Sequence, residues 1–173
     1  MCGEEIFRDI YKKYETRLKE NRLIDFDDML SYTYELFKER PDILALWQNK
    51  YKYILIDEFQ DINRLQYEII KMLAAPQNNL FIVGDDDQSI YRFRGSKPEI
   101  MLGFEKDYPN AKRILLDTNY RCGRYIVEAS LNLISHNRER FDKKIIAASK
   151  SKAPVTFADL KTEETKISFL YAI

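Results

Sequence analysis

Histidine occurs once in these 173 residues and cysteine twice, and that scarcity closes off several kinds of chemistry. Cys2 and Cys122 lie far apart and lack metal-ligand spacing. Neither a disulfide framework nor a thiolate cage is expected, and a reducing, cytoplasmic setting suits the chain. His136 stands late in a helical pattern and reads as a surface or helix-end residue, which leaves a histidine-based acid–base or metal site little to build from. There is no long apolar run and no signal-peptide pattern, so neither secretion nor a membrane span is expected. Charge of one sign is lacking too. Lys+Arg and Asp+Glu both number 28, so no global field draws the chain to nucleic acid or membrane, although a local patch could do so. Repeats and low-complexity segments are absent. What remains is 45% hydrophobic and 32% charged, the composition of a soluble globular protein of one domain or two small ones.

The first fifty residues carry helical periodicity. "EEIFRDIYKKYETRLKEN" spaces Phe7, Ile10, Tyr11, Tyr14 and Leu18 along one face. "IDFDDMLSYTYELFKER" has acids in its first turn and Lys38 and Arg40 at its end, as the helix dipole favours. Pro41 suits the first turn of a third, short helix through Leu44 and Trp47. From Tyr51 the period changes. "YKYILI" reads as a buried parallel strand, "NRLQYEIIKMLAA" as a helix stopped by Pro76, and "NLFIVG" as a second strand. "KPEIMLGFEKDYP" reads as a short helix and "KRILLD" as a third strand, an alternation that predicts a parallel α/β sheet. A helix is expected over 123–137 after "TNYRC", then the basic stretch "FDKKIIAASKSK", a strand at "PVTFADL" and a helix at "EETKISFLYAI". The chain starts and stops in helical sequence and reads as a piece of a longer protein.

Ligands of open α/β sheets bind beyond the carboxyl ends of the strands. Asp57 and Glu58 stand at one such end, and Gly84 followed by Asp85, Asp86, Asp87 and Gln88 at the next. Three consecutive acids repel one another and need water, donors or a cation. An apolar strand ending in Asp-Glu is used in phosphoryl transfer, where Asp holds Mg²⁺ through its water shell and Glu deprotonates the attacking water. A solvated strand end or helix start gives the same letters, and Asp61 could simply cap the helix beginning near Asn63.

The company these acids keep is more specific. "IDEFQD" at 56–61, "VGDDDQSIYRFRGS" at 83–96 and "LDTNYRC" at 116–122 follow in order with compact spacing, after "RLIDFDDML" at 22–30. Together they resemble the UvrD/Rep group of superfamily 1 DNA helicases over nearly the whole chain. The resemblance implies a partial RecA-like P-loop NTPase sheet with flanking helices, preceded by an all-helical segment. Residues 1–50 would be a 1B-like segment, 51–117 the C-terminal part of subdomain 1A, and 118–173 the start of subdomain 2A. It implies a parent enzyme that hydrolyses Mg-ATP to move 3′ to 5′ on single-stranded DNA and unwind duplex junctions, a task of the kind DNA repair requires. ATP would sit between the two motor subdomains.

By the same resemblance, Asp57 is similar to the Mg²⁺-holding Asp and Glu58 to the catalytic base, while Gln60 and Asp61 match positions that link the nucleotide and DNA sites. Gln88 resembles the γ-phosphate sensor, Arg121 the arginine reaching the γ-phosphate from the second subdomain, and Tyr120 the residue stacking on adenine. "IYRFRG" interleaves Tyr91 and Phe93 with Arg92 and Arg94, aromatics for bases and arginines for phosphates. The plainer reading is core aromatics beside solvated arginines, and Tyr91 could be packed and act only indirectly. The family usually has tryptophan at Phe93 and serine at Cys122. No G-x-x-x-x-G-K-[ST] occurs, so the phosphate cradle and its lysine are missing, as are the family's later motifs, and this stretch by itself is expected to be inactive.

Three other readings compete. A metal-dependent nuclease or phosphohydrolase could use Asp57, Glu58 and Asp85 to Asp87 around paired cations, but that leaves "YRFRG" and "NYR" unexplained. A non-catalytic module with the motor fold is disfavoured by the intact Asp57–Glu58 pair. A RecB/AddA-like helicase–nuclease subunit shares the same motifs.

Overall fold

The computed structural model describes residues 3–149. The sequence-predicted strand at "PVTFADL" and helix at "EETKISFLYAI" lie outside them. The chain divides into two compact units, Met1–Asn110 and Ala111–Ile173, and each is described by itself.

The first unit opens with α1 (Glu4–Glu20), α2 (Phe26–Glu39) and α3 (Pro41–Lys50), the all-helical stretch the periodicity predicts. Local chemistry sets their limits. Asp25 accepts from the Asp28 amide at 2.8 Å while Asp28 accepts from the Asp25 amide at 3.2 Å, a capping box that starts α2. That amide bond, with Tyr14 Oη donating to the other oxygen at 2.9 Å, holds the Asp25 carboxyl below its usual range. Pro41 occupies the first turn of α3, where its missing N–H costs nothing.

Strand β1 (Ile54–Ile56) leads through a 3₁₀ turn (Phe59–Asp61) into α4 (Arg64–Ala74), and β2 (Leu80–Ile82) follows. The strands pair in parallel with Ile54 opposite Leu80 and Ile56 opposite Ile82, and α4 is the crossover that a parallel pair requires. Asn63, not Asp61, caps α4: it accepts from the Gln66 amide at 2.9 Å while Gln66 accepts from the Asn63 amide at 2.8 Å. Further 3₁₀ turns at Asp86–Gln88 and Arg92–Arg94 precede α5 (Pro98–Leu102) and α6 (Phe104–Asp107). The single helix expected over 97–109 is thus broken at Gly103, the poorest helix former after proline.

Phe59, Ile62, Tyr67 and Ile100 form the core, with Ile56, Ile82, Met101 and Phe104 packed against it. Phe59 meets Tyr67 and Phe104 edge-on, at centroid distances of 5.9 and 5.6 Å, the arrangement ring quadrupoles favour. The strands were expected to be buried on both faces. Only one face is covered: Leu55 is 70% exposed and Phe81 56%, because no described element lies over that side.

The second unit corrects another expectation. Residues 112–117 form no strand, and Ile114 and Leu116 are exposed. An apolar run becomes a strand only where a ladder partner accepts it, and here the partner pairs further along. Strand β3 is Thr118–Gly123 and pairs in parallel with β4 (Ile146–Ser149), which lies within the basic stretch. Between them runs α7 (Arg124–Ile134), shorter than the 123–137 predicted. Among the described residues the single three-stranded sheet is therefore replaced by two parallel pairs, one in each unit.

Tyr67 Oη donates to Asp107 Oδ2 at 2.8 Å. Burial first, and this bond second, push the phenol well above the ordinary tyrosine value of 10.0. Folded Tyr67 thus stays neutral where the unfolded chain would ionise, and its contribution, complete below pH 10, is lost as pH rises further. Tyr67→Phe should cost about 0.5–1.5 kcal/mol near neutrality in urea melts, and its stability should fall less steeply than wild type above about pH 10.

Candidate functional site

Because β1 and β2 run parallel and in register, they end at one level. Pairing continues briefly beyond them: the Val83 amide donates to the Ile56 carbonyl at 2.8 Å and the Phe59 amide to the Val83 carbonyl at 2.9 Å. Asp57 and Glu58 are exposed at this end. The chain turns at Glu58, whose φ of 51° and ψ of 41° are left-handed, a conformation costing a non-glycine residue about 1–3 kcal/mol. Two bonds hold the turn. Asp57 Oδ1 accepts from the Glu58 amide, and the Asp61 amide donates to the Glu58 carbonyl, both at 2.9 Å. The turn leaves the acids outside and sends Phe59 and Gln60 into the core at 0% and 1% exposure.

A side-chain amide buried this deeply must find partners, and Gln60 finds them on both strand ends. Its Nε2 donates to Glu58 Oε2 at 2.7 Å, and its Oε1 accepts from the Asp85 amide at 3.0 Å. Its own carbonyl accepts from Ser89 Oγ at 3.3 Å. Asp85 then engages the sensor candidate, since Gln88 Nε2 donates to Asp85 Oδ2 at 2.8 Å. Glu58, Gln60, Asp85 and Gln88 thus form one hydrogen-bonded run. The acid triplet is accommodated by donors, because Asp85 Oδ1 also accepts from the Asp87 amide at 3.2 Å.

Gly84 makes this possible. A Cβ there would stand 2.6 Å from Gln60 Oε1 and 3.1 Å from the Phe59 amide nitrogen, so only glycine lets the backbone come this close.

The aromatic loop continues from this network. Tyr91 and Phe93 tilt toward each other at 6.0 Å between centroids, and Phe93 is 78% exposed. Gly95, at φ 86°, supplies the left-handed residue that ends the turn. Arg92 pairs with Glu99 at 3.2 Å. Arg94 lies in the same 3₁₀ turn, but its side chain is outside the described set. The Lys97 amide donates to the Ile62 carbonyl at 3.1 Å, tying the loop's far end to the segment after Asp61. Asp61 Oδ1 and Ser96 Oγ are buried and unpaired there.

In the second unit, Tyr120 is 82% exposed and Arg121 is exposed. The β3–β4 ladder is irregular between Asn119 and Gly123. Asn119 Oδ1 takes the place of ladder acceptors, receiving the Arg121 amide at 2.9 Å and the Cys122 amide at 2.8 Å. This bulge sets the backbone that carries Tyr120 and Arg121, a stretch to which sequence alone assigns no element.

Among the described residues no three His, Cys, Asp or Glu side chains cluster to hold a metal, so the two-cation nuclease reading has no support. A single exposed carboxylate such as Asp57 does suit Mg²⁺, which keeps several waters and takes one or two carboxylates with phosphate oxygens. Among the described residues no helix is long and apolar enough to cross a membrane.

Open α/β sheets bind their ligands beyond the carboxyl ends of the strands, where these acids stand, and the comparisons give the family. The chain belongs to the family described as UvrD/REP helicase N-terminal domain, whose profile matches residues 3–109. It is 50% identical over 162 residues to YjcD of Bacillus subtilis (strain 168), provisionally named an ATP-dependent DNA helicase, covering 93% of this chain and 21% of that protein. Over 167 residues it is 40% identical to the ATP-dependent DNA helicase PcrA of Leuconostoc citreum, covering 96% of this chain and 22% of the relative. The chain therefore spans about a fifth of the length of these relatives. Neither name mentions a nuclease, and the helicase–nuclease reading gains nothing from them.

Sequence reasoning missed Gly84 and Asn119 as structural requirements and Asp85 as the partner of Gln88. A glycine at a strand end is a signal of close backbone approach, and it was legible. The pairing of Asp85 with Gln88 was not. Gly84→Ala should displace the Gln60 amide and lower stability by about 1–3 kcal/mol, read as a shifted midpoint in denaturant melts.

Proposed function

We propose that this chain is part of a helicase motor that couples hydrolysis of Mg-ATP to 3′-to-5′ movement on single-stranded DNA and to unwinding at duplex junctions. The observation that supports it best is the hydrogen-bonded run from Glu58 through Gln60 and Asp85 to Gln88, at the shared end of two parallel strands and within the stretch matching the family. On this reading residues 1–50 are a 1B-like segment, 51–117 the C-terminal part of a RecA-like subdomain 1A, and 118–173 the start of subdomain 2A.

Asp57 would hold the Mg²⁺ that accompanies the nucleotide, and the ion supplies charge neutralisation for the β- and γ-phosphates. Glu58 accepts the proton of the attacking water. Gln88 offers its amide to the γ-phosphate, which requires Nε2 to leave Asp85. Arg121 stabilises charge that develops on the transferred group, and Tyr120 stacks on adenine. Tyr91, Phe93 and Arg94 hold the single strand by stacking and charge. Gln88 and Tyr91 share one short loop, so a move of Gln88 toward phosphate shifts the stacking rings as well, while Gln60 and Asp61 carry the shift to the acidic turn.

The decisive assay is steady-state ATP turnover with single-stranded DNA. In the complete helicase, Glu58→Gln should lower kcat about 10²–10⁴-fold while Mg-ATP still binds. The 173-residue chain, which contains no glycine-rich phosphate loop with its lysine, should show no useful turnover, because phosphate positioning carries most of the catalysis. Robust hydrolysis by the Glu58→Gln enzyme would contradict the proposal.

A further inference from the structure

We propose that Gln60 is a positioning residue for Glu58: its buried amide fixes the orientation of the catalytic carboxylate and ties it to the loop that carries Gln88. This rests on the reading of Glu58 as the base given above. Donor and acceptor chemistry fixes the amide's direction. The Asp85 backbone N–H can only donate, so Oε1 must face it, and Nε2 is left to face Glu58, as the 3.0 and 2.7 Å bonds record. Rotating the amide by half a turn would set donor against donor and carbonyl against carboxylate. Gln60 is 1% exposed, so its amide has no water to turn to if either bond is lost. The pocket that holds it is shaped by what Gly84 lacks, since a Cβ there would meet Oε1 at 2.6 Å.

The consequence for Glu58 is specific. Its backbone sits in the left-handed region, and one carboxylate oxygen is engaged by Gln60, so the side chain is held from both ends. A base displaced by about 1 Å loses on the order of 10²-fold in rate. The same amide holds the Asp85 amide, and Asp85 accepts from Gln88, so Glu58 and the loop that carries Gln88 are tied to one buried side chain.

The test uses the complete helicase with ATP and a single-stranded oligonucleotide. Gln60→Glu keeps the size and the acceptor for Asp85 but sets a carboxylate against Glu58. It should lower kcat about 10²-fold while KM for ATP and affinity for the oligonucleotide stay within about twofold. The exchanged pair, Glu58→Gln with Gln60→Glu, restores one donor facing one carboxylate. It should recover most of the melting temperature that Gln60→Glu loses, yet remain without turnover. If Gln60→Glu keeps wild-type kcat while Glu58→Gln abolishes it, the positioning role is wrong and the motor reading stands. If Glu58→Gln itself keeps turnover, the motor reading fails. A fall in kcat matched by equal losses in KM and DNA affinity, or an exchanged pair that recovers no stability, overturns the positioning role.

Discussion

One buried amide holds this site together. Strands β1 and β2 are three residues each, and a parallel pair that short has little ladder of its own. The Gln60 side chain extends the connection past the strand ends, bonding the acidic turn on one side and the acidic loop on the other. Inside a protein such bonds are stronger than in water, and an unmet amide is correspondingly costly. The site can therefore keep its arrangement only if both ends stay in place.

That constraint explains features that look unrelated in isolation. Phe59, wedged edge-on between Tyr67 and Phe104, anchors the backbone next to Gln60, so burial of an aromatic offsets the left-handed turn at Glu58. Gly84 clears the space that the amide fills. Asn63 starts α4 immediately after the turn with a reciprocal cap, which fixes where the turn must end. Asp85, an acid in a row of three, becomes useful as the acceptor for Gln88. In the second unit Asn119 performs a similar task on a smaller scale, one side-chain carbonyl receiving two consecutive amides.

Much of this was legible in the sequence, for identifiable reasons. The three leading helices announced themselves through period, terminal charges and Pro41, and β1, α4 and β2 through the change of period at Tyr51. The acids at the strand ends followed from strand placement alone. The strand predicted at 112–117 failed because apolar, β-prone letters state a preference and not a partner, and the ladder formed at 118–123 instead. Asp61 looked like the cap of α4, but Asn63 stands one residue before the helix and has Gln66 three residues on, which fits the reciprocal box better. The Gln60 bridge was beyond reach, since it joins residues 25 positions apart, and no local pattern encodes which way an amide points.

Amide hydrogen exchange at Asp85 tests the central claim most directly. Its N–H lies beyond β2 and is held by a side chain, so the bridge predicts slow exchange in the wild-type chain. In Gln60→Ala it should become much faster at Asp85 while the amides of Ile54–Ile56 and Leu80–Ile82 keep their protection. Equal exchange at Asp85 in the two proteins would show that the strand ends are held by something other than this amide.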